Sequence, residues 1–177
     1  MDIQIREIDK DNLSQINCCD NSFLVENKFR LHARDEEITY SSAPARPFLK
    51  SYPPDELDYS SYIDNPEKTI FFAYCDEQLA GQIILRKNWN GYAYVEDIAV
   101  DSRFRRQGIG KRLMVQSVEW AKSKALTGIM LETSNVNIAA CQFYERFGFK
   151  LGGFDRFLYK AVMPGTEEVA MYWYLVF

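Results

Sequence analysis

The chain of 177 residues carries one histidine, no long apolar run and no cysteine pair at metal-ligand spacing. Each shortage excludes something. The longest apolar stretch, Val169 to Phe177, falls well short of the ~20 residues that span a bilayer and suits a strand better. Cys18, Cys19, Cys75 and Cys141 match no zinc pattern. Adjacent cysteines seldom bridge each other, so all four read as reduced thiols and no metal is expected. Cys141 has no histidine near it in sequence, which argues against a cysteine nucleophile. His32 alternates with apolar residues on the polar side of a predicted strand, the place of a solvent-facing residue more than of a base. Positive charge is not in excess. The net charge of -4 and pI near 5.1 argue against nucleic acid as a partner and are compatible with a cationic small molecule. The first residues lack a basic-then-apolar signal pattern, so a cytoplasmic protein without a membrane partner is expected. A homodimer is left open. Repeats and low-complexity tracts are absent. The length fits a single domain spanning 1–177.

What the sequence does contain is strand periodicity and abundant aromatics, 15% of residues. Ile3 to Ile8 alternates as a first strand. Phe23 to Arg34 alternates again, Asp35-Glu36 can turn the chain, and Ile38 and Tyr40 continue, which predicts a hairpin. Four prolines in Ala43 to Pro54 predict little regular structure there. An acidic, tyrosine-rich segment follows, with a helix predicted from about Pro54 to Ile63. It reads either as a surface helix or as carboxylates and aromatic faces that attract ammonium groups. Thr69 to Tyr74, Gln78 to Arg86 and a strand after the Asn90-Gly91 turn form an antiparallel meander. Gly81 is the expected place of a bulge. Further on come a helix to Lys124, a strand over Gly128 to Glu132, a helix over Asn137 to Phe147 capped by Gly148, and two closing strands.

The stretch from Tyr92 to Lys111 organises the rest. By strand parity Tyr92, Tyr94, Glu96, Ile98 and Val100 share one face, and Ala93, Val95, Asp97 and Ala99 the other. A basic loop with Gly108 and Gly110 then opens a helix. Unpaired N–H groups and the helix dipole at such a start favour an anion, and the glycines let a phosphate reach the backbone. Arg105, Arg106 and Lys111 add charge. Arg112 follows Lys111, so a nucleoside-triphosphate loop fails; Val115 is too large for the third glycine of a dinucleotide fingerprint.

The pattern Arg105-x-x-Gly108-x-Gly110 resembles the pyrophosphate segment of the GCN5-related N-acetyltransferase superfamily, whose members use acetyl-coenzyme A. Asn137-x-x-Ala140-x-x-x-Tyr144-x-x-x-Gly148-Phe149 resembles its second signature. Leu49-Lys50-Ser51-Tyr52, Arg86-Lys87-Asn88-Trp89-Asn90, Leu131-Glu132-Thr133 and the terminal Trp173-Tyr174-Leu175-Val176-Phe177 look more narrowly like streptothricin acetyltransferases. The resemblance implies an α/β fold: a mixed, mostly antiparallel twisted sheet flanked by helices, with the fourth and fifth core strands splayed around the cofactor. It implies cofactor contacts from Ile98, Ala99 and Val100, from the run Arg105, Arg106, Gln107, Gly108, Ile109, Gly110 and Lys111, and from Asn137 and Tyr144. The acceptor would be a primary amine of a cationic molecule, in that family an amine of the antibiotic's β-lysine moiety.

At the reference lysine pKa of about 10.4, about one amine in two thousand is neutral at pH 7, a cost of roughly 4–5 kcal/mol. A carboxylate aimed at the amine would lower it. Glu96 is the first candidate, as base or as ammonium binder, with Tyr94 and Asp97 in reserve because a bulge could change which side chain faces the cleft. Tyr59, Tyr62 and Asp64 complete the expected acceptor site. Tyr144 matches the acid that would protonate the leaving thiolate, although a core tyrosine at that helical position is a plain alternative. Direct transfer in a ternary complex is the expected mechanism. Another amine acceptor, or a non-catalytic acyl-coenzyme A binder, are the competing readings.

Overall fold

The computed structural model describes residues 2–177. In chain order the elements are β1 (Ile3–Glu7), β2 (Phe23–Arg34), β3 (Glu37–Lys50), β4 (Lys68–Cys75), β5 (Gln78–Lys87), β6 (Ala93–Val100), α1 (Ile109–Ser123), β7 (Gly128–Ser134), α2 (Ile138–Phe147), β8 (Lys150–Asp155) and β9 (Ala170–Val176). Two compact units emerge. One comprises the chain up to Phe23 with Ser51–Ile129; the other comprises Leu24–Lys50 with Met130–Phe177. Helices flank mostly antiparallel strands, the α/β class expected. Among the described residues no helix is long and apolar enough to cross a membrane.

In the first unit the strands run in the order β1-β4-β5-β6, every neighbour antiparallel. The Asp76-Glu77 turn between β4 and β5 has both residues at positive φ, 47° and 66°, the handedness that a twisted hairpin requires. One sheet face carries Ile70, Phe72 and Ile84, which pack with Ile8, Tyr62 and Tyr74. The other takes α1 through Ile109 and Leu113, which close over Gly81. Leu113, Met114, Ser117 and Ala121 are buried as the helical spacing required, and Ser117 satisfies its hydroxyl on Leu113 O at 2.9 Å. The bulge expected near Gly81 is present: Ala73 pairs Gly81 while Tyr74 pairs Leu79, leaving Ala80 as the extra residue.

The second unit contains the ribbon β2-β3, the strands β7-β9-β8 and α2. The predicted hairpin turn is at Asp35 and Glu36, again both at positive φ. Two expectations need correction. Ala43 to Lys50 is strand despite Pro44 and Pro47, because β3 belongs to a two-stranded ribbon, where an outward position needs no N–H. The segment from Ser51 to Asp58 has no regular structure, and only Tyr59–Tyr62 forms a short 3-10 turn, begun by Asp58 accepting from Ser60 N–H. Ser51 to Asp58 is exposed throughout and has no apolar stripe to anchor a helix.

Candidate active site

The register of β5 on β6 decides what Glu96 does. Leu85 pairs Val95, but Ile84 pairs Asp97, so Glu96 is inserted without a partner. Directly paired residues share a face. Ala93, Val95, Ile98 and Val100 therefore lie on the α1 face with Leu85, Ile83 and Gly81, while Tyr94, Asp97 and Ala99 lie opposite with Arg86, Ile84 and Gln82. This corrects simple alternation, which put Glu96 with Ile98 and Asp97 with Val95. The inserted residue reverses the parity after it. Glu96 turns to the Arg86 side, as its contacts show.

There Glu96 Oε2 accepts from the Tyr62 hydroxyl at 2.6 Å and Oε1 from Arg86 Nε at 3.0 Å. The Arg86 guanidinium also stands over the Tyr94 ring, 4.8 Å from its centroid. Tyr62 is buried, and its ring packs 5.9 Å from that of Tyr59. Burial, and then the bond to Glu96, raise its hydroxyl well above the ordinary phenol range, so it remains a donor. Asp97 accepts from Gln82 Nε2 at 2.7 Å. Burial raises the Asp97 carboxyl above its ordinary value; the Gln82 bond opposes this, and Asp55 adds to it. Gln82, itself buried, ties on to Asn17, whose amide reaches the Tyr59 hydroxyl at 3.3 Å. Tyr59, Tyr62, Tyr94, Glu96 and Asp97 thus belong to one connected polar region. Asp64 does not join it; it is exposed at the end of the 3-10 turn, with φ of 52°. The sequence by itself gives Arg86, Gln82 and Asn17 no role in the site. Gln82 had a signal, a lone amide in an apolar strand.

After β6, Asp101 Oδ1 accepts from Arg103 N–H and its Oδ2 from Asp20 N–H, fixing the entry to the loop. Arg105 turns inward, giving Nε to Val100 O and an Nη2 to Asp20 O, each at 3.2 Å. Gln107 bonds Arg103 O. Arg106 is exposed and left-handed, φ 62°. Gly108 caps α1 at φ 86°, and a side chain built on it would meet nothing within 4 Å. The first bond of the helix is Arg112 N–H to Gly108 O, so the N–H groups of Ile109, Gly110 and Lys111 precede the intrahelical ladder. Open backbone donors at a 15-residue helix start, beside exposed Arg106 and Lys111, fit a pyrophosphate.

In the second unit Asn137 is the N-cap of α2, its side chain accepting from Ala140 N–H at 3.2 Å. Gly148 ends the helix in the left-handed conformation. Tyr144 is buried with Phe143, Phe149 and Trp173 around its ring. That surrounding is the packing one expects of a core tyrosine, and the motif alone assigns it a proton.

Residues 35–149 match the model of the acetyltransferase (GNAT) family, and the chain belongs to that family. Within it, streptothricin acetyltransferase A of Bacillus subtilis (strain 168) is 41% identical over 133 residues, 75% of this chain and 76% of that one. A crystal structure from Bacillus anthracis str. Ames, described as a streptothricin acetyltransferase in complex with acetyl coenzyme A, superposes with a TM-score of 0.93 at 44% identity, covering 99% of this chain and all of that one. Nourseothricin acetyltransferase gives 0.82 at 30% identity, covering 98% of each.

Proposed function

We propose that the chain transfers an acetyl group from acetyl-coenzyme A to a primary amine of a cationic small molecule, the β-lysine moiety of streptothricin, and so inactivates that antibiotic. The observation that carries this is the likeness to streptothricin acetyltransferases along almost the whole chain, joined to a carboxylate fixed from two sides at the bulge of β6. When bound, acetyl-coenzyme A supplies an acetyl group activated as a thioester. Ile109, Gly110 and Lys111 N–H, with Arg106 and Lys111 side chains, hold its pyrophosphate. Ile98, Ala99 and Val100 offer main chain along β6, and Asn137 meets the arm.

Glu96 accepts the proton the amine gives up, directly or through one water. Tyr62 and Arg86 hold its two oxygens so that the carboxylate cannot swing away. Because Arg86 already balances its charge, Glu96 orients the amine more than it draws it in. Tyr144 gives its hydroxyl proton to the departing thiolate, whose ordinary pKa is about 8.5. Overall one N–C bond forms and one C–S bond breaks.

The test is mass spectrometry of streptothricin after incubation with the protein and acetyl-coenzyme A. A mass gain of one acetyl group is expected. Unchanged antibiotic, with coenzyme A released on another amine of a panel, would overturn the choice of acceptor and leave the acetyltransferase in place.

A further inference from the structure

The bulge that turns Glu96 toward Arg86 also leaves it without a cross-strand partner, so the β5–β6 ladder alone does not fix its place. Side chains do that work. Tyr62 and Arg86 brace the Glu96 carboxylate itself. The residue after it is braced from β5: Asp97 pairs Ile84 and shares a face with Gln82, whose Nε2 donates to Asp97 Oδ2 at 2.7 Å. Gln82 is buried in a strand whose other buried side chains, Ala80, Ile83, Ile84 and Leu85, are apolar. A methionine or leucine would fill that position without the cost of burying an amide.

The amide is fully employed. Gln82 Oε1 accepts the Asn17 N–H at 2.8 Å, and Nε2 donates to Asn17 Oδ1 at 2.9 Å as well as to Asp97. Asn17 faces it in the left-handed region, φ 62°, which asparagine tolerates better than most side chains. Its own amide donates to the Tyr59 hydroxyl at 3.3 Å. Three residues on, Asp20 N–H donates to Asp101 Oδ2 at 3.2 Å, and Asp20 O accepts from Ser102 N–H at 3.1 Å and Arg105 Nη2 at 3.2 Å. The segment from Asn17 to Asp20 is therefore fastened at one end to Gln82 and Tyr59, and at the other to the loop that leads to α1. It cannot slide along the sheet without breaking both sets of bonds.

We propose that Asn17 and Gln82 are positioning residues for the acetyl transfer. Asn17 locks the Gln82 amide, Gln82 holds Asp97, and Asp97 fixes the bulge that presents Glu96 to the amine. This rests on the reading that Glu96 takes the acceptor's proton. A base must come within about 3 Å of the proton it removes, and a misplacement of about 1 Å can cost about a hundredfold in rate. The brace acts on that distance without touching the acceptor.

The experiment is a double-mutant cycle read as kcat/KM for streptothricin at saturating acetyl-coenzyme A, with coenzyme A affinity measured beside it. Asn17→Gly keeps the left-handed backbone and the N–H that Gln82 accepts, and removes only the side chain. Gln82→Met keeps length and volume and removes the amide. Each should lower kcat/KM about tenfold, mostly through kcat, with coenzyme A affinity unchanged. The double variant should be no worse than the poorer single one, because one residue acts through the other; independent effects would multiply to about a hundredfold. Asn17→Asp keeps an oxygen for Gln82 Nε2 and should retain most of the native kcat/KM, which decides the matter even if Gln82→Met does not fold. Native kcat/KM in Asn17→Gly, multiplied losses in the double variant, an equal loss of coenzyme A affinity, or a loss in Asn17→Asp as large as in Asn17→Gly would each overturn the proposal. Failure of the underlying reading shows separately, as native turnover in Glu96→Gln. If the native protein leaves streptothricin unchanged, the same variants are read on the panel amine that it does acetylate.

Discussion

Gly81 is the position where the fold and the cofactor segment meet most tightly. A Cβ placed there would lie 2.8 Å from Ala99 O, a main-chain atom, and 3.1 Å from both Ile109 Cγ2 and Leu113 Cδ1 on α1. The side chains can move a little; the carbonyl is fixed in the β5–β6 pairing. Gly81→Ala must therefore shift β5 against β6 and, with it, lift the Ile109 end of α1. Overpacking of this kind costs about 1–3 kcal/mol. For a chain of this size each kcal/mol lowers Tm by about 2–4 °C, so a fall of about 2–12 °C is expected. Ile109 opens α1, so the displaced end is the one proposed to hold the pyrophosphate. The KM for acetyl-coenzyme A should rise several-fold, with the acceptor KM less affected. Thermal unfolding and steady-state kinetics measure both. Gly153→Ala is the control, since nothing lies within 4 Å of its added carbon and its φ is ordinary; it should stay within about 0.5 kcal/mol. If Gly81→Ala melts with the native chain and keeps its cofactor KM, the close approach does not position α1.

Arg106→Ala should weaken acetyl-coenzyme A binding about tenfold in a direct binding assay, with little change in Tm, because the side chain is exposed and its loss removes a phosphate contact. Glu96→Gln should lower turnover on the acceptor while leaving cofactor affinity as it was; native rates would remove Glu96 from the reaction. Lys50→Met leaves the Glu168 carboxylate without its cation beside Glu132 and should cost about 3–5 kcal/mol by chemical denaturation. Glu132→Gln should do the reverse: the native carboxyl is raised from 4.5 to about 7 and stability falls as pH rises through that window, so the variant should be more stable above pH 7, by roughly 3 kcal/mol, and no different below pH 4. Alkylation of the folded protein at pH 8 should label Cys18 and spare Cys19 and Cys141, whose thiols burial pushes up to about 12; mass mapping shows which is modified.

Much of this architecture was legible because local chemistry and burial agree. Apolar runs broken by Asp-Glu pairs gave the hairpins, and both pairs adopt the left-handed turn. Asn137 and Gly148 bound α2 as an N-cap and a C′ glycine should. Illegible features were those decided by pairing. The residue inserted at Glu96 has no signature of its own, since any side chain can occupy a bulge, yet it moves Asp97 and Ile98 to opposite faces from those that alternation gives them. Pro44 and Pro47 spoke against a strand, but β3 lies in a ribbon that tolerates them. The two cationic loop residues also could not be told apart by sequence. Arg105 bonds Val100 O and Asp20 O, whereas Arg106 is exposed.

The two carboxylates show why a charged residue in a motif does not define its own role. Glu96 has a guanidinium on one oxygen and a phenol on the other, and so brings a fixed acceptor but almost no net charge. Among the described residues Glu132 has a phenol and no ion pair, and burial first, then the Glu168 charge, raise its carboxyl to about 7. A base that must take a proton from one chosen amine gains from being held still, and of the two only Glu96 is held from both sides by its own chain.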